Sequence, residues 1–211
     1  MVEDHNLVCQ GVCKIIEEKS NFRCIGTFST VDEAKNFLND NSNDKLISLS
    51  DTNQPLICIV DINLKNQEEN EEDGFSLISY IRQNFQNINC ICYSMFTGAG
   101  IVEKAISVGA LGYVSKNADL SVLLKAMDNA SQNKVYIEDS LTSDYIVYTN
   151  LFSSLTKREK ELTELYIQGK NDEQIAQMMD ISQRAINNYW TRILSKLGVA
   201  SKKELIEKYK Q

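Results

Sequence analysis

A parallel α/β sheet followed by a separate all-helical domain is the fold class this chain predicts, and three observations predict it. Over residues 1–132 short apolar runs alternate with helical patterns, as strands joined by crossover helices do. From Thr156 the texture changes to four short helices with clear start and stop residues. Charge changes with it: residues 1–150 carry 11 Lys+Arg against 21 Asp+Glu, residues 151–211 carry 11 against 8. An acidic front and a basic back indicate that only the back meets a polyanion. The 211 residues fit two small domains. The expected division is 1–132, a connector 133–154, and 155–211.

The front elements follow in order. Met1-Val2 is a minimal apolar stretch before Glu3 and Asp4. Val8, Val12, Ile15 and Ile16 recur at helical spacing and predict one buried stripe. A strand is expected near Arg23–Thr27 and a helix near Val31–Asn39. Leu56–Val60 is a continuous apolar run ending in Asp61, the pattern of a strand buried on both faces. Phe75–Asn84 reads as a helix, Ile88–Tyr93 as a strand and Ile101–Val108 as a helix. Gly112–Ser115 reads as a short strand, and Leu120–Gln132 as the closing helix. Two polar stretches interrupt the alternation. Residues 39–54 are rich in Asn, Ser and Asp, and residues 65–73 hold Glu68, Glu69, Glu71, Glu72 and Asp73. Both read as solvated surface loops. The connector lacks a clear period, although Tyr136, Ile137 and residues 145–148 offer apolar anchors.

The back is better punctuated. Thr156 and Glu159 have the spacing of a capping box, and Gly169 supplies a stop. Asn171 or Asp172 caps the second helix, Ser182 the third, and Gly198 ends it. Ser201 and Glu204 form a second capping box. Leu162, Leu165, Ile175, Ala176, Ile186, Ile193, Leu194 and Leu197 predict the inner face. Two helices joined by a tight Asp180-Ile181 turn match a helix-turn-helix.

No run of eighteen apolar residues exists, and the start lacks the basic and apolar stretches of a secretory signal. A cytoplasmic protein with no membrane partner is expected. All six cysteines lie within the first 92 residues, no CxxC pair occurs, and His5 is the lone histidine. They read as buried, reduced thiols rather than a zinc or redox site.

The strand ends carry the chemistry. Glu3 and Asp4 follow the first strand, Asp61 ends another, Ser94 the next and Lys116 the last. In an open parallel sheet such groups converge on one crevice at the carboxyl ends of the strands. An acyl phosphate on a carboxylate needs acids to hold a magnesium ion and a cation for the phosphoryl oxygens.

The motifs V-E-D-H-N-L-V, I-V-D-I-N-L, C-Y-S-M and G-A-L-G-Y-V-S-K lie at these ends. L-T-K-R-E-K-E-L, I-S-Q-R-A-I-N-N-Y and I-L-S-K-L-G-V follow in the back. Together they resemble a two-component response regulator of the NarL/LuxR type over nearly the whole chain. The resemblance implies a CheY-like, doubly wound five-stranded sheet of order 2-1-3-4-5, then a four-helix LuxR-type helix-turn-helix. It implies that Asp61 accepts the phosphoryl group from a histidine kinase or a small phosphodonor. Glu3, Asp4, Asp61 and the Asn63 carbonyl would hold Mg2+, and Lys116 would pair with Asp61. Ser94 would bond a phosphoryl oxygen while Tyr113 turns inward. The 19- and 22-residue spacings of Tyr113 and Lys116 from Ser94 fit the same pattern.

The third back helix would enter the major groove of double-stranded DNA. Its outer face offers Arg184, Asn187, Asn188, Thr191, Arg192 and Lys196. Asn can pair with adenine in a bidentate manner, while Arg and Lys reach phosphates or guanine. The resemblance puts Asn187, Asn188 and Thr191 at the base-reading positions, and Trp190 and Tyr189 read as packing residues. A homodimer is expected in the active state, since such domains read paired half-sites. The expected function is therefore a phosphorylation-switched transcription regulator, not an enzyme. One alternative keeps DNA binding but makes the front a phosphorylation-independent docking module. An aspartate-nucleophile phosphohydrolase fits poorly, because Ile-Asn follows Asp61 where a second Asp is needed.

Overall fold

The computed structural model describes residues 1–40, 56–64 and 73–209, so the two polar stretches at 39–54 and 65–73 fall almost wholly outside the described residues. The chain divides into two compact units, Met1–Thr142 and Ser143–Gln211.

Among the described residues the first unit is built on four parallel strands in the order β1 (Leu56–Val60), β2 (Ile88–Ser94), β3 (Ala110–Ser115) and β4 (Tyr136–Ile137). Helices α1 (Asn6–Lys19), α2 (Val31–Asn39), α3 (Gly74–Asn84), α4 (Ala99–Ser107) and α5 (Leu120–Ser131) connect them. β2 is buried along its whole length, as its apolar run predicts. Ile59, Ile91, Tyr93 and Val114 pack against Val12 and Ile16 of α1 and Leu123, Ala126 and Met127 of α5. Each such aliphatic side chain contributes roughly 1.5–3 kcal/mol on burial. Short polar caps start the helices: Thr30 accepts from the Glu33 N–H, and Asp73 from the Ser76 N–H.

The structure corrects the five-stranded expectation. Val2 forms only isolated parallel bridges, to Phe28 on one side and Val60 on the other. The spatial sequence Phe28, Val2, β1, β2, β3 follows the expected order, but the first two members are single bridges. No strand forms at Arg23–Thr27, so this edge of the sheet is held by the Val2 bridges alone among the described residues. The connector adds β4 beside β3, with Gly112 opposite Tyr136 and Tyr113 opposite Ile137. After it, α6 (Asp139–Ser153) is helical despite its weak period. The stripe of α1 is also rotated. Cys9, Val12, Cys13 and Ile16 are buried, while Val8 is exposed.

The second unit holds α7 (Lys157–Ile167), α8 (Asp172–Met179), α9 (Gln183–Leu197) and α10 (Lys202–Tyr209). Thr156 and Glu159 close a reciprocal capping box, and so do Asn171 and Gln174. At Ser201 the box is displaced by one residue: the Glu204 carboxylate takes the Ala200 N–H. Asp180 adopts the left-handed conformation at φ 52° and turns α8 into α9. Leu162, Ile175, Ile186 and Ile193 are wholly buried, whereas Leu165, Ala176 and Leu194 are half-buried.

Candidate functional site

The carboxyl ends of the strands gather the predicted acids and lysine. Val60 is sealed in the sheet, so Asp61 leaves β1 at the rim and is only 4% exposed. Lys116, just past β3, is held by its N–H on the Ser94 carbonyl at 2.8 Å. Its Nζ lies 2.6 Å from Asp61 Oδ2 and 2.6 Å from Glu3 Oε2, so two carboxylates converge on one ammonium. Burial pulls the Lys116 pKa down, but the bonds to Asp61 and Glu3 outweigh it, and the ammonium is held above the ordinary lysine value. The Asn63 N–H donates to Asp61 Oδ1 at 3.0 Å, which fixes the other carboxylate oxygen.

Glu3, Asp4 and His5 bring ligand atoms within 4.8 Å of one another. His5 Nδ1 lies 2.8 Å from Asp4 Oδ1 and 3.1 Å from Glu3 Oε1. His5 joins this group from its place directly after Glu3-Asp4 in the sequence. The oxygen donors of Glu3, Asp4 and Asp61 suit a hard cation such as magnesium. An imidazole does not, and His5 serves as a partner to the acids instead.

Ser94 and Tyr113 are both wholly buried. Tyr113 is already turned inward, with its hydroxyl donating to the Phe96 carbonyl at 2.7 Å. Burial first, and the neighbouring Cys92 next, push its phenol well above the usual range. Ser94 Oγ accepts from the Phe96 N–H at 3.2 Å, so serine and tyrosine grip the same loop residue. β4 continues from this place: the Glu138 N–H bonds the Tyr113 carbonyl at 3.0 Å, and the Glu138 carboxylate takes the Ser115 N–H at 2.7 Å. Glu138 sits in a stretch without periodicity, where nothing singled it out. One further contact frames the site. A Cβ on Gly74 would stand 2.2 Å from the Asp61 carbonyl oxygen and 2.7 Å from Ile62 Cα.

In the second unit, α9 buries Ile186, Trp190, Ile193 and Leu197 on one side. Arg184, Asn187, Asn188, Thr191, Arg192 and Lys196 are all exposed on the other. Trp190 packs, as expected, and its Nε1 donates to Asp172 Oδ1 at 3.0 Å, tying α9 to the start of α8. Lys196 is not free of the domain: its Nζ lies 2.7 Å from Oε2 of the buried Glu159.

Two family models match the chain. "Response regulator receiver domain" matches residues 1–128, and "Bacterial regulatory proteins, luxR family" matches residues 153–209. The chain is 26% identical over 211 residues to the transcriptional regulatory protein DesR of Bacillus subtilis (strain 168), covering 100% of this chain and 95% of that protein. It is 26% identical over 219 residues to the oxygen regulatory protein NreC of Staphylococcus aureus (strain JH9), covering 98% and 94%. Among solved structures, the RcsB response regulator of Salmonella typhimurium matches with TM-score 0.59 at 22% identity, over 98% of this chain and 94% of that one. RcsB from Salmonella enterica serovar Typhimurium, bound to promoter DNA with the phosphomimetic BeF3-, gives TM-score 0.65 at 21% identity over the same shares. These structures speak for the fold. No helix among the described residues is long and apolar enough to cross a membrane. With the receiver model spanning more than half its length and the LuxR model most of the rest, the chain belongs to the response regulators, a receiver domain followed by a LuxR-type helical domain.

Proposed function

We propose that this chain is a DNA-binding transcription regulator switched by phosphoryl transfer to Asp61, with residues 133–154 joining its two domains. It acts as a switch and not as an enzyme with turnover. The observation that carries the reading is the shared contact of Lys116 with Asp61 and Glu3 at the carboxyl ends of the strands. A histidine kinase or a small phosphodonor supplies the group. Glu3, Asp4, Asp61 and the Asn63 carbonyl would hold Mg2+, which would offset charge on the incoming phosphoryl oxygens.

The rest is work for the chain's own groups. Asp61 offers one carboxylate oxygen as nucleophile while the Asn63 N–H orients the other. Lys116 moves from the carboxylate to a phosphoryl oxygen, which releases its hold on Glu3. Ser94 gives its hydroxyl to a second oxygen, which draws it from the Phe96 N–H. That exchange alters the loop that Tyr113 also grips, next to the β3–β4 pairing. Two states of this region, differing in energy by a few kcal/mol, suffice for a switch.

The α9 face is the DNA surface, with Asn187, Asn188 and Thr191 toward base edges and Arg184 and Arg192 toward phosphates. The RcsB structure bound to promoter DNA supports that assignment by analogy of fold. Two copies would engage paired half-sites. The test is DNA affinity and oligomeric state with beryllofluoride and Mg2+. Both should rise in the wild type and stay flat in Asp61→Asn. A wild type that responds no more than Asp61→Asn leaves the front domain as a docking module only.

A further inference from the structure

Two cysteines meet away from the acid cluster. Cys13 Sγ, on the inner side of α1, lies 2.6 Å from Cys24 Sγ, and both thiols are free. A disulfide bond measures about 2.05 Å, so a shift of roughly 0.5 Å joins the two sulfurs. Both border a cavity of about 400 Å³ that Phe22, Arg23, Ile57 and Met127 also line. A small oxidant fits such a space. Cys24 is half-buried and reachable, whereas Cys13 is buried behind it. Cys58 and Cys90 are also neighbours, paired in register across β1 and β2, but Cys90 is only 2% exposed within the sheet.

We infer that Cys13 and Cys24 form a redox modification site, a dithiol that a peroxide converts into a reversible disulfide. The chemistry assigns each sulfur a part. The Cys24 thiolate attacks one peroxide oxygen and breaks the O–O bond, giving a sulfenic acid and hydroxide, which takes a proton to become water. The Cys13 sulfur then attacks the Cys24 sulfur. An S–S bond forms, the S–O bond breaks, and the hydroxyl leaves with the Cys13 proton as a second water. Two thiols are oxidised, one peroxide is reduced, and a dithiol reductant reverses the bond.

Local electrostatics support this order. The hydrogen bond between the two thiols lowers the Cys24 pKa against the effect of its burial, which favours Cys24 as the attacking sulfur. The same bond, and then burial, hold Cys13 protonated. The consequence reaches the phosphoacceptor end of the sheet. Cys24 lies on the segment leading to Phe28, whose N–H bonds the Met1 carbonyl and whose carbonyl takes the Glu3 N–H, each at 2.9 Å. A disulfide would brace that segment against α1 and so bear on the backbone that presents Glu3.

The experiment treats the full chain with hydrogen peroxide, blocks free thiols with N-ethylmaleimide, and maps peptides without reduction. A Cys13–Cys24 linked peptide is expected, lost on addition of dithiothreitol. It should persist in Cys9→Ser and vanish in Cys24→Ser, a substitution at a half-buried position. In Cys13→Ser the sulfenic acid on Cys24 should be trapped by dimedone. Absence of the linked peptide from treated wild type, or a linkage that survives Cys24→Ser, overturns the inference. Neither readout depends on phosphorylation of Asp61.

Discussion

Lys196 Nζ rests 2.7 Å from Oε2 of Glu159, joining the end of the exposed α9 face to the buried start of α7. The same carboxylate accepts the Thr156 N–H at 2.8 Å and the Thr156 hydroxyl at 2.9 Å. Arg192 Nε stands 3.9 Å from its other oxygen. A cation chosen from the sequence as a DNA contact thus has a partner inside its own domain. Glu159 therefore ties the exposed side of α9 to the start of α7.

Glu159→Gln should therefore destabilise the helical domain by about 1–3 kcal/mol, the cost of a buried acceptor losing charged partners. Burial pushes the Glu159 pKa up, but the bonds from Lys196 and Thr156 outweigh it and hold it below the ordinary 4.5. A depressed carboxylate contributes stability that is present above 4.5 and lost as pH falls through the lowered value. The gap between wild type and Glu159→Gln should hence shrink below pH 4.5. Denaturant titration followed by Trp190 fluorescence reports it, because the chain's single tryptophan is buried in this domain. A gap that stays constant down to about pH 3 removes the ion pair from the account.

On the proposed reading, substitutions on the α9 face should separate two kinds of DNA contact. Asn187→Ala and Asn188→Ala should each cost about 1–3 kcal/mol on the preferred site and relax selectivity at one position, as lost bidentate contacts do. Arg184→Ala should weaken binding to all sequences alike and reduce the salt slope by roughly one. Lys196→Met should change domain stability more than the salt slope, because its ammonium is engaged by Glu159. Affinities for a selected site and a scrambled one, measured over a salt series, distinguish the three outcomes.

Gly74 tests how closely the site is framed. The start of α3 approaches the Asp61–Ile62 backbone so tightly that an added Cβ meets a carbonyl oxygen and a Cα, neither of which is a flexible side-chain end. Gly74→Ala should cost about 1–3 kcal/mol through overpacking. It should also displace Asp61 and lower the response to beryllofluoride at saturating Mg2+. A variant with full stability and full response would falsify the idea that this contact sets the aspartate.

How much of this was legible in the sequence depended on the range of the interactions. Helix bounds and caps were readable because Thr156, Asn171, Ser182 and Gly198 act on neighbours a few residues away. Asp61, Ser94 and Lys116 were readable because each ends an apolar run, and parallel strands place such ends together. Strand pairing was harder: β4 comes from two residues with no alternation, and only the neighbouring β3 makes Tyr136-Ile137 a strand. The Cys13–Cys24 and Glu159–Lys196 contacts join segments 11 and 37 residues apart. No local spacing encodes either.

Lys116 offers the sharpest probe of the acid cluster. It lies between Asp61 and Glu3, each 2.6 Å away, and its raised pKa makes it a stabilising cation. The sign follows from that direction: the contribution is complete below the ordinary 10.5 and is lost as pH rises through the higher folded value. Lys116→Gln leaves Glu3 and Asp61 facing each other without the ammonium, so the receiver should lose about 3–5 kcal/mol in the absence of divalent ions, as when one partner of a buried ion pair is removed. The same change frees both carboxylates for a hard cation, and Mg2+ should then bind more tightly, by about tenfold for each 1.4 kcal/mol of repulsion relieved. Isothermal titration with Mg2+, and calorimetric unfolding with and without it, read both effects. The unfolding midpoint should rise more with Mg2+ in Lys116→Gln than in the wild type. If affinity is unchanged or weaker, the lysine and the ion do not compete for the same oxygens.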